Sequence, residues 1–145
     1  MPTVETRWKK IGVAIVLVDG HVIVGERQPG QSFSGLAEFP GGKVEAAEDF
    51  ATAACRECLE ETGLAVEAVR QLDSWEHVKV ADDGATEIFR IEFWECSPAG
   101  DIAPQLDALL EGAFRWVPLS SLAGLKFPSA NTRILSTLIS RHPQD

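Results

Sequence analysis

From Ile11 to Val18 the chain is an unbroken aliphatic and β-branched run, the pattern of a strand covered on both faces. Asp19-Gly20 is a hairpin turn signal, and it predicts a partner strand over His21–Arg27. A Pro/Gly/Ser-rich loop, Gln28–Gly35, then leads to Glu38-Phe39-Pro40. From Gly41 to Leu64 the period changes. At about 100° per residue, Ala51, Cys55, Cys58, Leu59 and Thr62 share one arc of a helix, while Asp49, Arg56, Glu57, Glu60 and Glu61 share the other. Gly41-Gly42 predicts a tight backbone turn before this helix, and Gly63 a left-handed residue just past its end. Glu48 and Asp49 stand near its positive N-terminus.

Farther on, Ala65–Asp73 and Trp75–Val80 read as two strands, followed by a turn at Ala81–Gly84. In Glu87–Glu95 the residues Phe89, Ile91 and Phe93 alternate with Ile88, Arg90, Glu92 and Trp94, a strand with one apolar face. Ser97–Gly112 is a long irregular segment, and loops of that length are often functional. A short strand is expected at Phe114–Val117, and Pro118–Leu122 reads as the start of a brief helix. The last segment, Ala130–His142, puts Ile134, Leu135, Leu138 and Ile139 on one stripe of an amphipathic helix. Strands interrupted by two main helices predict a mixed β-sheet between helices, an α/β fold, in a single domain spanning residues 1–145.

Charge and composition narrow the partners. A formal net charge of −9 argues against polymeric DNA or RNA, which reward basic surfaces. It leaves room for a single nucleotide, whose phosphates can be met by a metal and a few local cations. The longest early apolar run, Ile11–Val18, is too short to span a bilayer, and no signal-peptide start or cleavage site precedes it. The expectation is a cytoplasmic protein without a membrane partner, either monomer or homodimer. Cys55 and Cys58 form a C-x-x-C, yet no second pair follows, and Cys96, His21, His77 and His142 sit at unhelpful spacings. Both thiols lie on the apolar arc, which favours packing over a zinc or redox site.

The acidic arc of the helix calls for a counter-charge. Glu57 neighbours Glu60 and Glu61, and each like-charge pair costs about 0.2–0.5 kcal/mol on an exposed helix. Arg56 relieves part of this; a divalent cation would reverse its sign, since clustered carboxylates suit hard Mg²⁺. A merely solvated charged face is the alternative, and spacing weighs against it. Gly42, five residues, Glu48, seven residues and then Arg56-Glu57-Cys58-Leu59-Glu60-Glu61-Thr62-Gly63-Leu64 resembles the signature box of the Nudix hydrolases. The seven fixed positions would match by chance on the order of 10⁻⁶ times in a chain of this length. Cys58 stands where that family usually has an aliphatic residue, and a thiol packs as a small hydrophobe.

The resemblance implies an α/β/α sandwich with a central mixed β-sheet and a phosphoanhydride hydrolase that uses Mg²⁺, with Mn²⁺ able to substitute. Carried over position by position, Glu57, Glu60 and Glu61 become metal ligands, Glu61 foremost, with the Gly41 carbonyl completing the site. Arg56 would orient a carboxylate and Glu48 brace the loop, with Gly42 and Gly63 structural. Glu111, in the loop before the last strand, is the candidate catalytic base, or equally an ordinary loop glutamate. The stretch Glu38-Phe39-Pro40-Gly41-Gly42-Lys43 is similar to the entry of the MutT-type branch, whose enzymes cleave nucleoside triphosphates such as 8-oxo-dGTP. Phe127-Pro128-Ser129-Ala130-Asn131 is similar to that branch's base-reading segment, where an amide can donate to and accept from a purine edge. Asn131 alternatively caps the final helix. Arg27, eleven residues before Glu38, and Lys43 would flank the phosphates. Hydrolysis of another nucleoside diphosphate derivative, such as ADP-ribose or a nucleotide sugar, and a silent nucleotide-binding module are the competing readings.

Overall fold

The computed structural model describes residues 5–100 and 103–141; His142, at the end of the predicted last helix, lies outside them. Strand β1 (Thr6–Val18) is the spine. It pairs in parallel with β6 (Thr86–Pro98) from Thr6 opposite Thr86 to Val16 opposite Cys96. Its other edge is shared. Ile11–Val13 pair with β4 (Gly41–Lys43), and Leu17–Val18 turn back through Asp19-Gly20 onto β2 (His21–Glu26). The sheet order is β3-β2-β1-β6-β5, with β3 at Ala37–Glu38, while β4 joins β1 and β7 (Phe114–Pro118) joins β2. One parallel pair among antiparallel ones makes the sheet mixed.

Three strand limits differ from the hydrophobic pattern. β1 begins five residues before Ile11, through Trp8-Lys9-Lys10, because the ladder to β6 holds main chain that carries polar side chains. β5 (Val66–Val80) is one continuous strand rather than two. Its irregularity is taken up by register shifts between Ala68 and Arg70 and between Gln71 and Asp73, so Ser74 breaks nothing. β6 runs on to Pro98, into the segment expected to be irregular.

Alternation along β1 builds the two layers of core. Val13 and Ile15 point with Ile91 and Phe93 toward Ile134 and Leu138 of α2 (Thr132–Ser140). Ala14 and Val16 point with Cys96 and Trp116 toward Ala54 and Cys58 of α1 (Phe50–Thr62). The result is the α/β/α sandwich. Gly12 is required where α1 crosses the sheet, since a Cβ there would strike the Phe50 carbonyl. The final helix is shorter than its stripe suggests: Ser129–Asn131 form a 3₁₀ turn first, and Ile139 remains at the exposed edge. Leu119–Gly124, expected as a brief helix, is also 3₁₀.

Helix α1 is capped at both ends by local sequence. The Asp49 carboxylate accepts from the Thr52 N–H at 2.8 Å, and Gly63, at φ 80°, sends its N–H back to the Leu59 carbonyl at 3.0 Å. Leu59 departs from the expected arc. It is 49% exposed, on an open groove beside Ala65 and Val66. Cys58 is fully buried, and burial pushes its thiol up to about 11, which leaves it an inert packing group.

Candidate active site

The glycines before α1 do not make a tight turn. Gly41 and Gly42 lie in β4, opposite Val13 and Gly12, and neither has a positive φ. What demands glycine is close approach. A Cβ on Gly42 would collide with the Glu57 carboxylate, and one on Gly41 would lie 2.6 Å from the Gly12 carbonyl oxygen. The helix thereby lays its acidic arc directly on the strand.

On that strand the glutamates divide. Glu61 accepts from the Gly41 N–H at 3.1 Å and faces the carboxylates of Glu57 and Glu38. Burial first, then those two negative neighbours, push its pKa up to about 7, against the pull of the Gly41 hydrogen bond. Burial likewise raises Glu38, although Arg27 donates to it at 2.9 Å. The Glu57 side chain is 18% exposed and that of Glu60 58%, so Glu60 stands at the solvent rim.

Arg56 is the hub of the outer half. Its guanidinium donates to Glu48 at 2.7 and 3.0 Å, to Glu57 at 3.0 Å, to Glu60 at 3.3 Å and to the Lys43 carbonyl at 3.0 Å. Glu48 in turn accepts from the Glu45 N–H at 2.9 Å, closing the loop ahead of the helix. Those two bonds hold the Glu48 carboxyl below the usual range, Arg56 contributing most. The arginine thus fixes one side of Glu57 and leaves Glu61 to the opposite side.

The remaining residues fall at different distances from this centre. Arg27 is occupied by Glu38 and by the Ser32 carbonyl. Phe39 is buried and stacks on Phe127 with ring centres 4.8 Å apart, so the two motif phenylalanines tie their segments together in the core; Pro40, next to Phe39, is fully buried. Lys43 ends β4 with an exposed side chain. Glu111 is drawn to the last turn of α1: its N–H donates to the Thr62 carbonyl at 3.0 Å, and its carboxylate packs against Gly63. Asn131 occupies the N-cap position of α2 but makes no capping bond; its side-chain amide donates to the Pro128 carbonyl at 3.2 Å. The role of Gly12 beneath α1 was not anticipated. A lone glycine inside a β-branched run was the available signal.

Among the described residues no three Asp, Glu, His or Cys side chains converge into a ready-made ligand set. The donor chemistry nevertheless fits a hard divalent cation. Glu57 and Glu61 present carboxylate oxygens to one another on a backbone that glycine keeps open, with Glu38 adding to their surplus negative charge. Among the described residues no cationic side chain offsets Glu61 as Arg56 offsets Glu57.

The capped α1 lying on a Gly-Gly strand in a mixed sandwich defines a class. A family model described as the NUDIX domain matches residues 8–138, and the chain belongs to the Nudix family. It is a Nudix hydrolase. Its fold is shared with the solution structure of the E. coli ORF135 protein, at 23% identity and a TM-score of 0.66, covering 97% of this chain and 96% of that one. The MutT protein from Methanosarcina mazei Go1 matches at 17% identity and a TM-score of 0.65, over 96% and 98% of the two chains. A MutT structure from a study of Aliivibrio salmonicida and Vibrio cholerae matches at 24% identity and a TM-score of 0.56, over 92% and 99%. At these identities the likeness establishes the fold. No curated protein sequence matches the chain. No helix among the described residues is long and apolar enough to cross a membrane.

Proposed function

We propose that this protein is a Mg²⁺-dependent pyrophosphohydrolase of (deoxy)nucleoside triphosphates, 8-oxo-dGTP among them, releasing the monophosphate and pyrophosphate. The observation that carries the reading is the half-buried Glu61 carboxylate facing Glu57 and Glu38 across the Gly41–Gly42 strand. Like charges held together at a cost are characteristic of sites that do chemistry. Glu57 and Glu61 would hold the cation, with Glu60 joining from the rim. When bound, the cation neutralises phosphate charge and lowers the pKa of water.

The chain supplies the rest. Arg56 fixes the Glu57 carboxylate, so one oxygen stays aimed at the strand. Arg27 and Lys43 flank the phosphate side, and Arg27 exchanges its Glu38 bond for a phosphate oxygen. Glu111 accepts the proton of the attacking water, its loop being tied to the end of α1. Asn131 reaches toward the base, and the Phe39–Phe127 stack supports the segment that carries it. The MutT-named neighbours support this branch of the family, as do the Glu38–Lys43 and Phe127–Asn131 stretches.

The test is a nucleotide panel in Mg²⁺: 8-oxo-dGTP, the ordinary triphosphates, ADP-ribose and a nucleotide sugar. Release of pyrophosphate from triphosphates supports the proposal. Turnover confined to the diphosphate derivatives would keep the hydrolase and replace its substrate; no turnover at all would leave a binding module.

A further inference from the structure

On the side covered by α2, the sheet rows run Val13–Phe93–Asp73, Ile11–Ile91–Trp75 and Lys9–Phe89–His77. The third row breaks with the apolar core. A cleft of about 370 Å³ opens over it, walled by Lys9, His77 and Phe89, with Arg7, Lys79 and Glu87 at its outer end. Trp75 follows inward on the same face of β5, outside that lining. It stacks on His77 with ring centres 6.0 Å apart and meets Phe89 edge-on at 5.8 Å, and its other side faces Ser129 and Ala130, next to Asn131.

The cations of this cleft are not equivalent. Arg7 is paired with Asp83 at 2.6 Å and Lys79 with Glu87 at 3.5 Å. Lys9 has no carboxylate partner among the described residues; its ammonium lies 5.3 Å from the centre of the Phe89 ring. An ammonium has three donors and no acceptor, so a free one over an aromatic face suits a ligand with both a π-surface and acceptor atoms. Position adds a measure. Val13 lies opposite Gly41, whose N–H holds Glu61, and Lys9 is four residues along the same strand, about 13 Å at 3.3 Å per residue. That is the span from the phosphate end of a nucleotide to the far edge of its base.

We propose that Lys9 sets the base preference of this enzyme, donating to the O6 acceptor of guanine, plain or 8-oxidised, and in the plain base to N7 as well, as the base packs against Phe89 and His77. Adenine presents an amino donor where guanine presents O6, so the same ammonium disfavours it. This rests on the nucleotide reading above and assigns its base.

The experiment compares dGTP with dATP hydrolysis in Mg²⁺, and dGMP with dAMP binding by calorimetry, for wild type, Lys9→Met, Lys9→Arg and Lys10→Met. Lys10 projects from the opposite face of β1, over Trp8 at 5.5 Å, and controls for loss of one positive charge. Wild type is expected to prefer guanine, and Lys9→Met to reduce that preference about tenfold, in KM and Kd rather than in kcat. Lys9→Arg keeps most of it, and Lys10→Met all of it. An unchanged preference in Lys9→Met, an equal loss in Lys10→Met, or a wild type indifferent to the base would overturn the assignment. If no triphosphate is hydrolysed the functional reading fails, and the binding ratio still decides the role of Lys9.

Discussion

Glu61 and Asp73 are two carboxylates treated in opposite ways by the same fold. Asp73 receives the Arg133 guanidinium on both oxygens, and Arg133 also donates to the Ser74 carbonyl at 2.9 Å, fastening α2 to β5. That pairing holds the Asp73 carboxyl below its usual range. Glu61 is half-buried against other carboxylates, with one backbone N–H for compensation, and is pushed up to about 7. A charge placed for stability is given its partner within the chain. A charge that lacks one, and is held among like charges anyway, awaits a partner from outside.

The largest expected effect lies at the unpartnered end. Glu61→Gln or Glu57→Gln should lower hydrolysis at least about 100-fold, measured as kcat/KM in Mg²⁺, while the protein stays folded. Near-normal turnover in both would remove the metal assignment. Next comes the strand beneath. Gly42→Ala puts a methyl into the Glu57 carboxylate, so it should cost about 1–3 kcal/mol in denaturant unfolding as well as activity. An unperturbed variant would mean that Glu57 moves aside freely.

The two carboxylates should also leave opposite marks on the pH dependence of stability. Glu61 in the metal-free protein binds its proton more tightly folded than unfolded. Its contribution is therefore present below about 4.5 and is lost as pH rises through about 7. Thermal unfolding of wild type should weaken across that window relative to Glu61→Gln, and Mg²⁺ should restore it at the alkaline end. Asp73, depressed, contributes above the usual carboxylate range, and that contribution disappears as pH falls through its folded value. The smallest effect is accordingly Asp73→Asn, a shift of at most about 3 °C in Tm at neutral pH, vanishing in acid, with hydrolysis unchanged.

The same contrast separates what the sequence displays from what it conceals. Everything around Arg56 is local: Glu48, Glu57, Glu60 and the Lys43 carbonyl are within thirteen residues of it, so fixed spacing carries the arrangement. The caps at Asp49 and Gly63 and the hairpin at Asp19-Gly20 are legible for the same reason. Arg133 and Asp73 are sixty residues apart, and only the register of β5 against β6 brings that carboxylate to α2's side. The bulges that keep β5 continuous are equally silent in the pattern, because a register shift is decided by the partner strand. Gly41-Gly42 was recognisable as important but not for the right reason. Glycine signals both a turn and a close approach, and the choice depends on Glu57, fifteen residues away, folding back over the strand.

The most direct measurement is Mg²⁺ or Mn²⁺ binding by titration calorimetry to wild type, Glu61→Gln and Asp73→Asn. Saturable binding in wild type, retained by Asp73→Asn and lost or greatly weakened in Glu61→Gln, is the predicted result. Equal binding by all three proteins, or none by wild type, would contradict the claim that the Glu61 and Glu57 carboxylates over Gly41-Gly42 form a metal site.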